Sequence, residues 1–303
     1  MASIVSVVGP TASGKTALGI ALAKQLGAHV ISMDSMQIYQ KMDIGTAKVK
    51  PEEMMGVPHH MIDIASPAEK YSVRQFVEKA RGIVDELLKQ NISVVLVGGT
   101  GLYLDHLIRD TRFAEVDTDE HLRVALSQKS ARDLYDELAE VDPSSAARLH
   151  PNDKKRVTRA LEIYLTSGKT ATYWNEKSHC DSRPLDVVMI GLSYSDRETL
   201  YERIDKRVDK MISLGLEQEV RSLLSMDGFL HSTAAKAIGY KEMILYLQGE
   251  ITLESAVLMI KQNTRRYAKR QLTWFRHETD IHWLEADRPF DRILADALAV
   301  IKE

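Results

Sequence analysis

Residues Gly9 to Thr16 read GPTASGKT, the composition of a loop that binds phosphate. Backbone N–H groups of a glycine-rich turn point at phosphate oxygens, and a following helix adds its positive N-terminal end. Lys15 can offer an ammonium group to a terminal phosphate, and the Thr16 hydroxyl can complete the ligand shell of Mg²⁺. The pattern predicts a polyphosphate site with Mg²⁺ as cofactor, formed by Gly9, Pro10, Thr11, Ala12, Ser13, Gly14, Lys15 and Thr16.

A carboxylate, Asp34, stands where the second predicted strand ends, in the segment DSMQIYQKMDIGTAK. The carboxyl ends of parallel strands share one edge of a sheet, so Asp34 should face the same cavity as the phosphate loop. A carboxylate there can hold Mg²⁺ through water, cap a helix, or accept a proton from a nucleophile. Ser35 and Gln37 add neutral hydrogen-bonding groups that suit the edge of a base.

The turn Gly98-Gly99-Thr100-Gly101 ends a further predicted strand at the same edge. Its flexible backbone would let a flat ligand approach closely, with the Thr100 hydroxyl in the cavity. A plain strand-to-helix turn would explain the same residues.

The elements that must position these residues alternate between strand and helix. A helix follows the phosphate loop and another covers about residues 72–90, while apolar runs predict strands at residues 3–8, 28–35, 59–65, 93–99 and 186–192. This alternation predicts an α/β fold, a doubly wound parallel sheet that carries a P-loop.

The pattern changes between residues 110 and 183, where helical stretches replace strand-like runs. We interpret this part as a helical insertion domain, residues 112–183, in a core made of residues 1–111 and 184–303. The core continues after residue 196 with mostly helical sequence, so it should end in C-terminal helices.

Composition narrows the class of protein. The 303 residues carry 40 Lys and Arg against 43 Asp and Glu, so any binding of nucleic acid must come from a local patch. A single cysteine, Cys180, cannot form an internal disulfide or a zinc module. No apolar run approaches the roughly 20 residues of a membrane span, and the N-terminus lacks a signal pattern. We expect a cytoplasmic protein with no membrane partner.

Two segments could supply the basic patch. Residues 261–276 carry six basic residues and no acidic one, interleaved with Tyr267, Trp274 and Phe275, a composition that suits RNA loops or an amphipathic helix. Residues 154–159 place four cations at a predicted helix start, where they oppose the helix dipole and indicate a phosphate partner. The adjacent His59 and His60 face opposite sides of a strand and do not predict a metal site.

The phosphate loop leaves a P-loop small-molecule kinase or a nucleotide-dependent RNA-binding switch open. Such proteins generally place a carboxylate for Mg²⁺ on a later strand. The strand at residues 93–99 ends without an acidic residue. Asp63, in the strand predicted at residues 59–65, could provide the carboxylate for Mg²⁺.

Taken together, eight segments resemble the tRNA dimethylallyltransferases, also called tRNA isopentenyltransferases. They run from Gly9 to Arg276, and they read GPTASGKT, DSMQIY with DIGTAK, HHMIDI, VGGTGLYLD, VDPSSAARLHPNDKKRVTRALEIY, RIDKRVDKMISLGLEQEV, AIGYKE and YAKRQLTWFR. Eukaryotic relatives tend to carry a C-terminal zinc finger, which a chain with one cysteine cannot form. The resemblance is therefore to the bacterial form.

The resemblance implies transfer of a dimethylallyl group from dimethylallyl diphosphate to N6 of the adenosine 3′ of the tRNA anticodon, with release of pyrophosphate. The phosphate loop would hold the donor's diphosphate with Mg²⁺. Asp34 matches the family's general base, and Thr100 would contact the leaving oxygen or the base. Lys15 with Arg203 or Arg207 would stabilise the departing charge. The implied catalytic set is Asp34, Thr100, Lys15 and Arg207.

The resemblance also implies a tRNA anticodon stem-loop as partner, bound by a monomer. Asp34, Ser35, Met36, Gln37 and Thr100 would lie at the target base. The remaining tRNA contacts would be Lys155, Arg156, Val157, Thr158, Arg159, Lys236, Tyr240, Lys241, Lys269, Arg270, Gln271, Trp274 and Arg276. An adenylate isopentenyltransferase is the alternative within the same core, but a mononucleotide acceptor would not require the insertion and the basic segments.

Overall fold

The computed structural model of the protein describes residues 2–111, 120–180, 184–278 and 280–302. The chain divides into two compact units, one of Met1–Ile108 with Leu185–Glu303 and one of Arg109–Pro184. The boundaries that the sequence predicts, at residues 112 and 183, lie outside the described residues.

The first unit contains a six-stranded sheet in which every neighbouring pair is parallel. Its spatial order is β3-β2-β4-β1-β5-β6. The parallel sheet and its helices confirm the predicted α/β class. The strands are β1 (Ile4–Val8), β2 (His29–Ser32), β3 (His59–His60), β4 (Val94–Val97), β5 (Val187–Ser193) and β6 (Ile281–Glu285).

Helices cover the sheet and form the whole of the second unit's regular structure in the described residues. Two short 3₁₀ helices, Phe229–His231 and Ala234–Lys236, lie before α11. The α-helices are α1 (Lys15–Leu26), α2 (Val73–Lys89), α3 (Gly101–Ile108), α4 (Glu120–Gln128), α5 (Ala131–Val141), α6 (Pro143–Arg148), α7 (Lys154–Ser167), α8 (Ala171–Cys180), α9 (Arg197–Ser213), α10 (Leu216–Leu224), α11 (Tyr240–Leu247), α12 (Leu253–Arg276) and α13 (Phe290–Lys302).

Two sequence predictions for the sheet need correction. The strand predicted at residues 59–65 ends at His60, because Met61 and Asp63 adopt φ values of 62° and 55° that are incompatible with an extended strand. The strand at Ile281–Glu285 was not predicted, because Ile281 alone is buried there and the apolar alternation is weak.

The core of the sheet is continuous with the helix that follows the phosphate loop. Val5, Val95 and Ile190 are fully buried in adjacent strands, and Leu18 and Leu22 of α1 pack against the same cluster. Because α1 begins directly after the loop and is locked to the sheet, its N-terminal N–H groups are held at the tip of β1.

The second unit has its own apolar core, in which α5 and α7 pack together. Leu134, Leu138, Val157 and Leu161 are fully buried there. Asp142 ends α5, caps α6 and accepts hydrogen bonds from the N–H and hydroxyl of Thr172. In the described part of the chain, no helix is both long enough and apolar enough to cross a membrane.

Candidate active site at the strand tips

A cavity lies at the carboxyl ends of β1, β2 and β4, and we call it the strand-tip cavity. It brings together the phosphate loop, the carboxylate after β2 and the glycine turn after β4, as parallel strand ends predict. Its lining residues are Thr11, Lys15, Thr16, Ile20, Val30, Ser32, Asp34, Gln37, Ala47, Val49, His59, Ile62, Val97, Gly98, Gly99, Arg207, Tyr267 and Gln271.

The phosphate loop is held in a conformation that needs its glycines. Gly14 has a φ of 91° immediately before α1, and a Cβ at Gly9 would collide with the backbone carbonyl of Leu192. Lys15 folds back so that Nζ donates a 2.5 Å hydrogen bond to the carbonyl of Pro10. Burial, with a smaller effect of the Arg207 charge, lowers the pKa of Lys15 to about 7, while Asp34 partly offsets both.

A second cavity, which we call the basic cleft, opens beside the phosphate loop. Four cations at positions i, i+3, i+4 and i+7 of α9 line it opposite residues 12–17: Arg203, Lys206, Arg207 and Lys210. Arg203 donates to the carbonyl of Ala12 at 3.0 Å, so α9 is attached to the loop directly. One face of this helix therefore supplies positive charge beside the N–H groups of the phosphate loop, an arrangement suited to an anion.

Arg207 lines both cavities. Burial lowers the pKa of its guanidinium from the ordinary value, and the charge of Asp34 opposes that shift. Within the described residues, the buried Nε of Arg207 and the buried hydroxyl of Ser13 have no hydrogen-bond partner. Since buried polar atoms are almost always satisfied, both are suited to the oxygens of an anionic ligand.

Asp34 faces the strand-tip cavity and also caps the turn that follows it. Its Oδ1 accepts hydrogen bonds from the N–H groups of Met36 at 2.8 Å and Gln37 at 3.3 Å. The capping interpretation and the cavity-facing interpretation of this carboxylate therefore both apply. The cap fixes the carboxylate's orientation toward the space that it shares with Lys15.

The amide of Gln37 is fixed on both sides. Its Oε1 accepts a 3.1 Å hydrogen bond from the Ser32 hydroxyl, and its Nε2 donates at 3.3 Å to the carbonyl of Thr46. Each amide atom keeps one further hydrogen-bonding position, which an adenine edge could use.

The Thr100 hydroxyl lies beside the same turn, where it accepts a 3.3 Å hydrogen bond from the N–H of Ser35. The hydroxyl of Tyr267 interacts with the side chains of Thr100 and Gln271, and burial raises the pKa of Tyr267 to about 12. The sequence analysis did not place Tyr267 in the cavity. The signal was its i, i+4 spacing from Gln271, which puts both on one face of α12.

Three residues predicted to contact tRNA are buried instead. Val157 and Tyr240 have no exposed surface, and Gln271 is 6% exposed. Val157 packs in the core of the second unit, Tyr240 donates its hydroxyl hydrogen to Glu219, and both amide atoms of Gln271 bond to backbone groups. The side chains of Val157 and Tyr240 therefore serve packing and positioning rather than a surface contact. Gln271 lines the strand-tip cavity, and its contact with tRNA remains a prediction.

The other predicted tRNA contacts outside the cavity remain predictions. Lys155, Arg156 and Arg159 are exposed on α7, although Arg159 also pairs at 2.7 Å with the buried carboxylate of Glu162. Thr158 between them is half-buried. The predicted tRNA contacts of the first unit that are exposed are Lys236, Lys241, Lys269, Arg270, Trp274 and Arg276.

One wall of the strand-tip cavity is apolar, which the sequence analysis did not anticipate. It consists of Ile20, Val30, Val49, Ile62 and Val97. These residues come from α1, two strands and two loops, so no local periodicity marks them as one surface.

The two adjacent histidines have separate surroundings. His59 lines the cavity and bonds through Nδ1 to the carbonyl of Val57 at 2.8 Å, whereas His60 pairs with His29 at 3.0 Å. Burial lowers the pKa of both His59 and His60.

Asp63, the acid on which a kinase interpretation depends, bonds at 2.6 Å to the buried Lys48. It is not among the described residues that line the strand-tip cavity. Its carboxylate therefore serves to hold the loop after β3.

The residues around the phosphate loop fit a hard cation that is shared with a ligand. Thr16 offers a hydroxyl oxygen and Asp34 a carboxylate in the same cavity, and oxygen ligands suit Mg²⁺. Among the described residues, no cluster of three or more His, Cys, Asp or Glu could hold a metal. Such an ion would therefore need ligand oxygens from a bound phosphate group.

Comparison with known proteins identifies what this chain is similar to. The family model described as IPP transferase matches residues 37–278. A tRNA dimethylallyltransferase of Geobacillus thermodenitrificans is 49% identical over 290 residues, which cover 94% of this chain and 91% of the relative.

The solved structures to which this chain is similar are also transferases that act on tRNA. The tRNA isopentenylpyrophosphate transferase of Bacillus halodurans is 42% identical with a TM-score of 0.76, over 100% of this chain and 96% of that one. A eukaryotic dimethylallyltransferase acting on tRNA is 29% identical with a TM-score of 0.84, over 100% of this chain and 80% of that one.

Proposed function

The chain belongs to the IPP transferase family, and from that premise we propose that it transfers a dimethylallyl group from dimethylallyl diphosphate to N6 of the adenosine 3′-adjacent to the tRNA anticodon, releasing pyrophosphate. It does so as a monomer in the cytoplasm. The observation that carries the proposal is that Lys15 of the phosphate loop and the Asp34 carboxylate line one cavity.

The donor's chemistry matches the charge around the phosphate loop. Positive charge that develops at C1 of an allylic diphosphate spreads over the double bond as pyrophosphate leaves, so the site has to stabilise the departing negative charge. Lys15 and Arg207 supply cations, and the N–H groups at the start of α1 supply dipoles. Arg203 holds the loop through the Ala12 carbonyl.

The apolar wall of the strand-tip cavity accommodates the dimethylallyl group. Contact with the apolar wall would remove the five-carbon tail from water. The Thr16 hydroxyl would help to hold Mg²⁺, which would neutralise part of the leaving group's charge.

The acceptor is a weak nucleophile, because the lone pair of an exocyclic adenine amine is delocalised into the ring. Asp34 removes a proton from N6 as the N–C bond forms. Gln37 contacts the adenine edge, and Thr100 contacts the base or the leaving oxygen. A base stacked in an anticodon loop has to be drawn out before it can reach this position.

Exposed cations outside the cavity bind the phosphates of the RNA. Phosphates are contacted by the exposed cations of α12 and by three cations of α7, Lys155, Arg156 and Arg159. The exposed Trp274 offers a surface on which a base can stack. These features favour tRNA over a free adenine nucleotide as the acceptor.

The test is incubation of the protein with tRNA, AMP, ATP, Mg²⁺ and radiolabelled dimethylallyl diphosphate. Label in tRNA is the expected result, and digestion should place it on N6 of the adenosine beside the anticodon. Label in AMP alone would favour an adenylate isopentenyltransferase. Consumption of ATP without any prenyl transfer would favour a kinase.

A further inference from the structure

Glu219 of α10 receives an unusual set of hydrogen bonds from a distant loop. Its Oε2 accepts the backbone N–H groups of Asp43 at 2.9 Å and Ile44 at 2.7 Å. Its Oε1 accepts the N–H of Gly45 at 3.0 Å and the hydroxyl of Tyr240 at 2.7 Å. Three consecutive N–H groups thus converge on one carboxylate, an arrangement that strengthens each bond through the charge of the acceptor.

Tyr240 of α11 supports the same loop from the side. It is fully buried, and a Cβ at Gly45 would overlap its ring. Glycine at position 45 therefore lets the loop backbone lie directly against the ring. The carboxylate and the ring together fix residues 43–45 from both helices.

The next residue connects this loop to the strand-tip cavity. The carbonyl of Thr46 accepts a hydrogen bond from Nε2 of Gln37 at 3.3 Å and one from Nη2 of Arg207 at 3.4 Å. Both side chains line the cavity, one on the acceptor side and one on the diphosphate side of the proposed reaction. A shift of the loop would displace the two groups together.

The Thr46 carbonyl also determines which way the Gln37 amide points. A carbonyl only accepts hydrogen bonds, so it holds the amide nitrogen, while the Ser32 hydroxyl donates to the amide oxygen. The oxygen can then accept from an adenine N6–H and the nitrogen can donate to N7. A guanine edge, which presents two acceptors in the major groove, does not match this order.

We infer that Glu219 and Tyr240 are positioning residues, which hold residues 43–46 so that the Thr46 carbonyl orients Gln37 for adenine and Arg207 for the diphosphate. The inference rests on the proposed function. Neither residue touches a substrate, and each acts through the loop backbone.

The experiment compares single-turnover rates of Glu219→Gln and Tyr240→Phe with those of the unaltered protein. The acceptors are two anticodon stem-loops, one with adenosine and one with 7-deazaadenosine at the target position. The second acceptor lacks the N7 to which Gln37 would donate. Glu217→Gln is the matched control, because Glu217 lies on the same helix but pairs with Arg221 instead of the loop.

We expect the unaltered protein to react about tenfold more slowly with the 7-deaza acceptor, the size of one lost hydrogen bond. In Glu219→Gln the rate on adenosine should fall by about 100-fold, the effect of a displacement on the order of 1 Å. The difference between the two acceptors should shrink to within about twofold, because a released Gln37 no longer favours N7. Tyr240→Phe keeps the ring and should show the same trend at smaller size.

Equal rates on both acceptors with the unaltered protein would overturn the inference. So would a Glu219→Gln variant that retains the full difference between acceptors. If that variant fails to fold, the decision passes to Tyr240→Phe, where an unchanged rate and an unchanged difference overturn the inference. Absence of transfer by the unaltered protein would instead refute the proposed function.

Discussion

The side chain of Gln271 accepts a 2.8 Å hydrogen bond from the backbone N–H of Thr11, 260 residues earlier in the chain. Its Nε2 donates at 3.0 Å to the carbonyl of Gly99, and a Cβ at Gly99 would overlap the amide. One buried amide on α12 therefore connects the phosphate loop to the turn after β4. The distance between the phosphate loop and this turn therefore depends on the Gln271 amide.

Gln271→Leu should weaken donor binding, because it leaves the Thr11 N–H and the Gly99 carbonyl without partners. A buried polar group without a partner costs about 1–3 kcal/mol, and the free protein should relieve this cost by moving the phosphate loop out of its binding conformation. Because donor binding has to restore that conformation, we expect the Kd for dimethylallyl diphosphate to rise by about tenfold or more. Titration calorimetry with Mg²⁺ present measures it. The Kd for tRNA should remain within about twofold if α12 stays folded.

Gln262→Leu is the matched control, since Gln262 is exposed on the same helix. Donor affinity that is equal in Gln271→Leu and in the control would contradict the bridging role.

The phosphate loop and Asp34 could be found from sequence because their positions follow local rules. A glycine loop between an apolar strand and a helix is recognisable in eight residues. The meeting of Lys15 and Asp34 follows from the shared edge of parallel strands, which needs only the strand assignments. The burial of Gln271 could not be found in this way. Gln271 lies in a segment with six cations, a composition that predicts an exposed side chain. Only the tertiary fold places the phosphate loop against this glutamine.

Long-range backbone contacts account for most of what the sequence did not predict. The loop at residues 43–46 is held by Glu219, and no periodicity in either segment signals that contact. The end of β3 at His60 depends on left-handed conformations at Met61 and Asp63, of which Asp adopts such a conformation more readily than Met. Such features arise from tertiary packing, which overrides local preference.

Asp34→Asn tests the general base with its structural role preserved. Asn keeps Oδ1, so the hydrogen bonds from Met36 and Gln37 can remain, whereas Asp34→Ala removes them too. We expect the single-turnover rate of Asp34→Asn to fall by about 100-fold to 10,000-fold, with a tRNA Kd within about twofold. Rapid-quench assays and filter binding give the two quantities. A large loss of tRNA affinity with normal chemistry would exclude the general-base role.

Lys15 should make donor binding depend on pH. Burial and the neighbouring Arg207 charge lower the pKa of Lys15 to about 7, so the amine of the free protein loses its proton as pH rises through that value. A diphosphate requires the charged form. We therefore expect kcat/KM for the donor to fall above pH 7, by up to about tenfold per pH unit.

Lys15→Arg separates this effect from other titrations. A guanidinium stays charged across the same range, so the variant should be slower but lack the decline near pH 7. Calorimetry in two buffers of different ionisation enthalpy should also detect proton uptake when the unaltered protein binds the donor. If Lys15→Arg keeps the same decline, another group causes it.

Asp142→Asn should destabilise the second unit. Burial alone would raise the pKa of Asp142, but hydrogen bonds from Thr172 and Ser145 outweigh it and lower the pKa from its usual value. A lowered carboxyl pKa adds stability above the unfolded-state value and loses it as pH falls. We expect a cost of about 2 kcal/mol near pH 7 that shrinks below about pH 4.

Thermal unfolding of Asp142→Asn at several pH values measures this cost, with the exposed Asp136→Asn as control. A melting-temperature difference that does not change between pH 7 and pH 3 would contradict the hydrogen-bonded, ionised state of Asp142.

Charge removal on α7 tests the proposed tRNA surface without disturbing the unit. Lys155 and Arg156 are exposed, and the Nε of Arg156 lies 3.6 Å from the Oδ2 of Asp153, which is a weak surface ion pair. Lys155→Gln and Arg156→Gln should therefore fold normally. Arg159 is a poorer probe because it pairs with the buried Glu162. If both cations contact phosphates, the double variant should bind tRNA more weakly and lower the slope of log Kd against log salt by about 2. Arg132→Gln removes one positive charge on α5 and provides the comparison for each of the two single variants in the same filter-binding series. A double variant with the slope of the unaltered protein would remove α7 from the RNA surface.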